Sequence, residues 1–258
     1  MNLYYFELLL EYDTFSVLDN DLRYEFQCRV DFINHYITKA VRGKKIDVGN
    51  FTGLYITLLP EGVTKRPKQV DKDFRIYLPF HIEEYQKAKQ NNDFSYFLDI
   101  IRLGINIFSE YQDVSVREIL NIVDEFESNN YQNKWLLKKR TFREVGLSLE
   151  LQCELTTDYY QVVAVVKDLK RNILCQGLLL KTLSCMYVYT GLIKDIVLAG
   201  DSIFIIDRSD CKRFKLKVES LQNGKFSPKV QKLYEYDLSS FYFIANQRDG
   251  SSGMLTMR

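Results

Sequence analysis

The sequence predicts an α+β protein, in which an N-terminal α+β module is followed by a β-rich antiparallel sheet or sandwich. The first observation is the order of elements in residues 51–126, where two β-like runs and a basic loop precede helical periodicity. The second is a change after Asn130, beyond which short β-like runs recur about every ten residues. Separate groups of helices and strands are typical of the α+β class.

The third observation is the distribution of charge along the 258 residues. Residues 1–135 carry 16 Lys and Arg against 21 Asp and Glu, a net charge of −5. Residues 136–258 carry 19 against 13, a net charge of +6. This difference favours two domains with different partners, although drift in composition explains it equally well. The predicted boundaries are 1–134 for the α+β module, 135–246 for the β-rich domain and 247–258 for a loose tail.

Composition limits the class of protein. Hydrophobic residues make up 46% and charged residues 27%, which excludes disordered and fibrous classes. The 18 Tyr and 17 Phe favour β-structure with an interaction role, or alternatively a Tyr-rich core. The five cysteines form no CxxC pair, which predicts free thiols in a reducing compartment. The N-terminus has no basic signal region, and no apolar run approaches the ~20 residues of a membrane span, so we expect a cytoplasmic protein without membrane contact.

In the first half, apolar periodicity and helix-capping residues predict the elements. Leu3–Tyr12 is apolar and aromatic with few breaks, which predicts a buried strand. Asp19-Asn20-Asp21 supplies N-cap residues, after which apolar residues recur every three to four positions, as in an amphipathic helix. Two further predicted strands flank a basic loop; they are Gly53–Pro60 and Phe74–Phe80, and the loop is Glu61–Asp73.

Three helical segments follow, and then a series of strands. Helices are predicted from Ile82, from about Asp93, and after Asp113 or Ser115, where Ser115 and Glu118 match a capping box. Beyond them, β-like runs separated by turn residues predict a meandering sheet. These runs are Leu147–Leu155, Tyr159–Val166, Ile173–Leu180, Met186–Tyr189, Ile193–Leu198, Ile203–Ile206 and Phe214–Val218.

The sequence offers few residues for catalysis or metal binding. Its two histidines, His35 and His81, are far apart, which argues against a catalytic triad or a histidine metal site. The chain has no Walker A or GxGxxG motif and only 12 glycines, which argues against a nucleotide cradle. We therefore predict a protein that is not an enzyme, with no catalytic residue, no cofactor and no metal. The alternative is a metal-dependent hydrolase built on Asp207 and Asp210, which precede the basic strand that carries Lys215 and Lys217.

A second alternative is a β-sheet protein that binds nucleic acid. Cations and aromatic residues alternate in the β-rich half, as in Lys138-Lys139-Arg140 before Phe142 and Lys212-Arg213 before Phe214. This combination can stack bases on a sheet. However, the isoelectric point of about 7.5 lacks the excess positive charge that phosphate binding normally requires.

The order of elements from Leu3 to Phe126 resembles that of small bacterial immunity proteins, which neutralise the toxins of contact-dependent and secreted antibacterial systems. The similar features are the aromatic opening strand, the helix Asp21–Val41, the run Tyr55–Pro60, the Lys65-Arg-Pro-Lys68 loop and Arg75–Leu78 before Ile82–Tyr85. The second half departs from this pattern. The resemblance implies a cytoplasmic, non-catalytic inhibitor that binds the cognate toxin domain and occludes its active site. It carries no functional residue over to this chain.

Charge suggests which residues could contact such a partner. Three acids, Asp124, Glu125 and Glu127, lie in the helix predicted after Asp113 or Ser115 and belong to the acidic half of the chain. Neighbours on one helix point in different directions, so these acids cannot face each other as a glycosidase pair. They could instead mimic nucleic acid in the basic cleft of a nuclease toxin. We predict them as the partner-binding residues, with a protein as partner and nucleic acid as the alternative.

Overall fold

The computed structural model describes residues 1–112, 116–184 and 189–230. These residues form helices and three four-stranded sheets, which confirms the predicted α+β class. The chain divides into two compact units, of which the first contains Met1–Lys134 with two short segments of the later chain. The prediction that 1–134 and 135–246 are separate domains stays a prediction about independent folding.

The sheet of the first unit is mostly parallel. Its strands, in spatial order, are β1 (Tyr5–Leu10), β2 (Gly53–Pro60), β4 (Asp73–Phe80) and β3 (Lys68–Val70). β2 is parallel to both β1 and β4, whereas β3 is antiparallel to β4. The two strands predicted around the basic loop are confirmed. The prediction that Glu61–Asp73 is entirely a loop is wrong in part, because Lys68–Val70 pairs with Asp73–Arg75 as an edge strand.

Five helices accompany this sheet: α1 (Tyr12–Leu18), α2 (Asn20–Lys44), α3 (Ile82–Asn91), α4 (Ser95–Tyr111) and α5 (Arg117–Ser128). The predicted cap of α2 is confirmed, since the Leu22 amide donates to Asp19 Oδ1 at 2.9 Å. The strand predicted to reach Tyr12 is wrong at its end. Glu11 accepts the Thr14 amide at 2.7 Å and so begins α1, which sequence periodicity did not reveal.

One face of the sheet carries the core. The register places Phe6, Leu54 and Phe74 on one face, and all three are buried. α4 packs on this face so closely that a Cβ at Gly104 would lie 2.5 Å from Cδ1 of Ile56. The glycine therefore sets the distance between helix and sheet.

α2 closes the free edge of β1. Asn34 accepts the Leu8 amide at 2.9 Å and donates to the Leu8 carbonyl at 3.0 Å, as a neighbouring strand would. One helical turn later, Thr38 Oγ1 donates to the Phe6 carbonyl at 2.9 Å. Because these backbone groups are satisfied, this edge is blocked against pairing with another chain.

The second unit contains two sheets. The first has the order β5 (Lys134–Phe142), β6 (Leu147–Leu155), β7 (Tyr160–Asp168) and β8 (Ile173–Thr182), and the second has the order β12 (Lys229–Val230), β11 (Lys212–Lys217), β10 (Ser202–Ile206) and β9 (Asp195–Ala199). β7 and β8 are antiparallel, as are the pairs that β10 forms with β9 and β11. This confirms the predicted antiparallel, β-rich second half.

Some sequence predictions for this half need correction or lie outside the described residues. The strand β5 was not predicted, because four consecutive charged and polar residues, Lys138–Thr141, hide its alternation of apolar and polar side chains. Val218 does not end a strand but begins a short helix, α6 (Val218–Gln222). The strand predicted at Met186–Tyr189 lies almost wholly outside the described residues, as do Ser115 of the capping box and the tail 247–258.

Candidate functional site

The predicted partner-binding acids lie on α5, and each is paired with a cation of the same unit. Arg102 donates to Asp124 Oδ1 at 2.8 Å and also to Glu127. Lys44 Nζ lies 3.2 Å from Glu125 Oε1. The three acids are therefore exposed or half-buried, but their charge is partly neutralised within the chain. Their role as partner contacts stays a prediction.

Arg102 is the centre of this network. Burial works against its charged form, but hydrogen bonds to Asp124 and Glu127 outweigh this and raise the pKa of Arg102. Its Nη1 also lies 3.1 Å from Asp99 Oδ1 on its own helix. Three carboxylates thus surround one guanidinium, and charge-assisted bonds of this kind are the stronger ones in proteins.

A different region of the unit leaves large apolar side chains in solvent. Tyr12 is 61% exposed, Val17 84%, Leu18 65% and Tyr24 49%. The guanidinium of Arg23 lies between the two rings, with Cζ 4.8 Å from the Tyr12 centroid and 4.2 Å from that of Tyr24. We call these five residues the α1 surface. Tyrosine and arginine are the residue types that interfaces favour.

The fold holds α1 by one side only. Phe15 is its buried residue, and its ring meets that of Phe80 edge-on at 5.7 Å. At the helix start, Glu11 Oε1 lies 2.5 Å from Lys65 Nζ. Burial would raise the pKa of Glu11, but the bonds from Lys65 and Thr14 hold it below its ordinary value. A seven-residue helix fixed at these points must leave its other positions exposed.

Acidic residues surround the α1 surface. Asp13, Asp19 and Asp21 are all exposed. Asp19 caps α2, as described above, while Asp13 and Asp21 form no ion pair with any described residue. The acids beside this apolar surface therefore differ from those of α5, because Asp13 and Asp21 form no direct ion pair with a described lysine or arginine, although the charge of Asp13 also acts on Lys65.

The two histidines have local roles. His35 is mostly buried; this burial, and then Lys39, lower the pKa of His35 to about 4. Its Nδ1 lies 3.1 Å from Asn133 Nδ2, which fits a neutral ring accepting that amide proton. His81 is exposed at the start of α3, where a hydrogen bond to Glu61 at 2.8 Å raises the pKa of His81. The structure does not bring them together.

The basic residues predicted as a nucleic-acid site are largely engaged with acids. Arg140 Nη2 lies 2.7 Å from Asp195 Oδ2, and this bond lowers the pKa of Asp195 to about 2. Lys139 and Lys167 lie 2.9 and 2.6 Å from the two oxygens of Glu150. The basic stretch in β5 therefore carries less free positive charge than its sequence suggests.

The carboxylates of the alternative hydrolase site organise a turn. Asp207 is buried, accepts the amides of Ser209 and Cys211 at 2.8 and 2.9 Å, and lies 2.5 Å from Arg213 Nε. Asp210 pairs with Lys194 instead, at 2.7 Å. No group of three or more His, Cys, Asp or Glu side chains in the described part of the chain is arranged to hold a metal ion.

Within residues 1–112, 116–184 and 189–230, none of the helices has the length and apolar character that crossing a bilayer would require. Comparisons of the chain with protein-family models, with curated proteins and with solved structures gave no match.

Proposed function

We propose that this chain is a non-catalytic binding protein that neutralises a cognate bacterial toxin, as its resemblance to immunity proteins implies. The observation that carries the binding part of the proposal is the α1 surface. Large exposed apolar residues on one short helix, beside an arginine held between two tyrosine rings, favour a protein partner over a small substrate.

The geometry favours tight association for two physical reasons. Burial of Tyr12, Val17 and Leu18 by a partner would remove apolar area from water, which contributes about 25 cal/mol per Å² before the entropy cost of association is subtracted. Arg23 is already fixed by the two rings and by a 3.0 Å bond from its Nε to Asn20 Oδ1. Less side-chain entropy is then lost when the partner binds.

The test is affinity capture from cells of the source organism, at near-physiological salt and with nuclease treatment as a control. We expect one stoichiometric protein, identified by mass spectrometry, that survives nuclease treatment. That protein should arrest growth when it is expressed alone and should be harmless when it is expressed with this chain. Recovery of nuclease-sensitive nucleic acid without a protein partner would contradict the proposal and favour the β-rich half as a nucleic-acid binder.

A further inference from the structure

We infer that the α1 surface is the contact site, and that it recognises a basic protein surface that also presents apolar side chains. This inference rests on the proposed function, because it names the surface and the class of partner through which neutralisation would occur. Apolar side chains of the partner cover Tyr12, Val17 and Leu18, while its basic side chains meet Asp13 and Asp21.

Charge on the exposed residues indicates the class of partner. Asp13, Asp19 and Asp21 are close in sequence to the exposed apolar residues and are exposed themselves. Against these three acids stands the charge of Arg23, which contacts two rings, while Lys65 is bonded to Glu11 at 2.5 Å although it also interacts with Asp13. The rim of the surface is therefore negative, and its complement is a positively charged partner.

The acids of α5 are less available to a partner than those beside α1. A partner's lysine or arginine could bond Asp124 or Glu127 only in competition with Arg102, and Glu125 only in competition with Lys44. At Asp13 and Asp21 no ion pair within the described residues has to be broken first. The gain in free energy from a new ion pair is therefore larger beside α1.

The α1 surface lies on a helix that is fixed in place by the fold. Phe15 and the Glu11 cap fix α1 from beneath, so the exposed side chains start from a defined helix. Preorganised contacts of this kind cost less ordering entropy on binding than those of a free loop. Exposed apolar side chains, exposed acids and a fixed backbone together describe a site for one kind of partner.

The test uses a photoreactive amino acid, p-benzoylphenylalanine, placed in the full chain at Val17, or at Asn121 on the exposed side of α5, in living cells. We expect the Val17 probe, and not the Asn121 probe, to cross-link the protein that affinity capture identifies. That protein is then purified, and its Kd for the chain is measured as a function of salt concentration.

The variant Asp13→Lys/Asp21→Lys should remove the Val17 cross-link and weaken binding about tenfold, with the larger loss at low salt. The matched control is Glu83→Lys/Glu118→Lys, which changes the same charge at exposed acids in the first turns of α3 and α5. It should retain the cross-link. Unfolding curves for all variants exclude loss of fold as the cause.

Two outcomes overturn the inference and can be told apart. If the captured protein cross-links at Asn121 only, or binds Asp13→Lys/Asp21→Lys as tightly as the native chain, the inference is wrong while the proposed function stands. If neither probe nor capture yields a protein partner, the proposed function fails, and the inference fails with it.

Discussion

The α1 surface and the acidic side of α5 belong to the same unit, yet their acidic residues differ in whether they form ion pairs within the chain. On α5 the three acids form ion pairs with Arg102 and Lys44, so their negative charge is partly neutralised within the chain. Beside α1, Asp13 and Asp21 form no direct ion pair with any described residue, and large apolar side chains are exposed. The comparison teaches that acids clustered in the sequence can be paired within the fold, and we propose that acids without an ion pair beside exposed apolar side chains are the better candidates for a contact surface.

The difference has a structural cause. α5 buries a full apolar stripe, formed by Ile119, Ile122, Val123 and Phe126, against neighbouring helices that supply Arg102 and Lys44. α1 buries Phe15 alone. Long helices packed on several partners bring opposite charges together, whereas a short helix at the end of a sheet presents its side chains to solvent.

The largest effect is expected from removal of the anchor of α1. Phe15→Ala should lower the free energy of unfolding by about 3–5 kcal/mol, because a fully packed aromatic ring is lost against Phe80. The matched control, Val17→Ala in the same helix, should change it by less than about 0.5 kcal/mol. Denaturant unfolding measures both. Equal effects would show that α1 is not held as described.

The second prediction concerns the pH dependence of stability that His35 causes. His35 lies near α5: its ring bonds Asn133, and Phe32, one turn earlier in the same helix, contacts the ring of Phe126 on α5. The pKa of His35 is about 4 in the folded chain, against about 6.5 when unfolded. The unfolded chain therefore binds the proton first as pH falls. Stability from this group is constant above pH 6.5 and decreases between pH 6.5 and 4, by about 3 kcal/mol in total.

Unfolding curves across that pH range measure the effect, and His35→Gln should remove this part of the slope. His81→Gln is the matched control, with the opposite sign. The pKa of His81 is raised, so its contribution is present at low pH and is lost as pH rises through the folded value. A slope that persists in His35→Gln would contradict the assignment of a buried neutral ring.

A smaller effect should separate the two arginines. Arg102→Met leaves Asp124 and Glu127 without their cation and should lower stability by about 1–2 kcal/mol. Arg23→Met on the α1 surface should change stability by less than about 0.5 kcal/mol, because it forms no ion pair with the described residues. Chemical denaturation compares them. If Arg23→Met proved the more destabilising, the contrast between the surfaces would be wrong.

Much of the fold could be predicted because its signals are local. The Asp19 cap and the three-to-four-residue apolar repeat defined α2, and Pro60 ended β2 where the structure ends it. α1 was missed because Tyr12 continues the apolar run that begins at Leu3. Glutamate is not among the residue types that favour the N-cap position, so the Glu11 cap gave no sequence signal; the weak signal that remains is Asp13, an acid in the first turn of the helix.

The candidate site was less predictable, because it depends on contacts between residues distant in sequence. Glu125 bonds Lys44, which is 81 residues away in sequence, and Asp124 bonds Arg102, which is 22 residues away. No periodicity encodes such pairs, so the acids of α5 looked free in the sequence. The exposure of Tyr12, Val17 and Leu18 likewise follows from which side of α1 packs.

The central claim is tested most directly by the affinity of the captured partner for two variants. One is Tyr12→Ala/Leu18→Ala, and the other replaces the α5 acids with amides, Asp124→Asn/Glu125→Gln/Glu127→Gln. We predict that the first weakens the Kd about 100-fold, as loss of central apolar contacts does, and that the second weakens it less than about threefold. The opposite ranking would contradict the account and place the contact on α5.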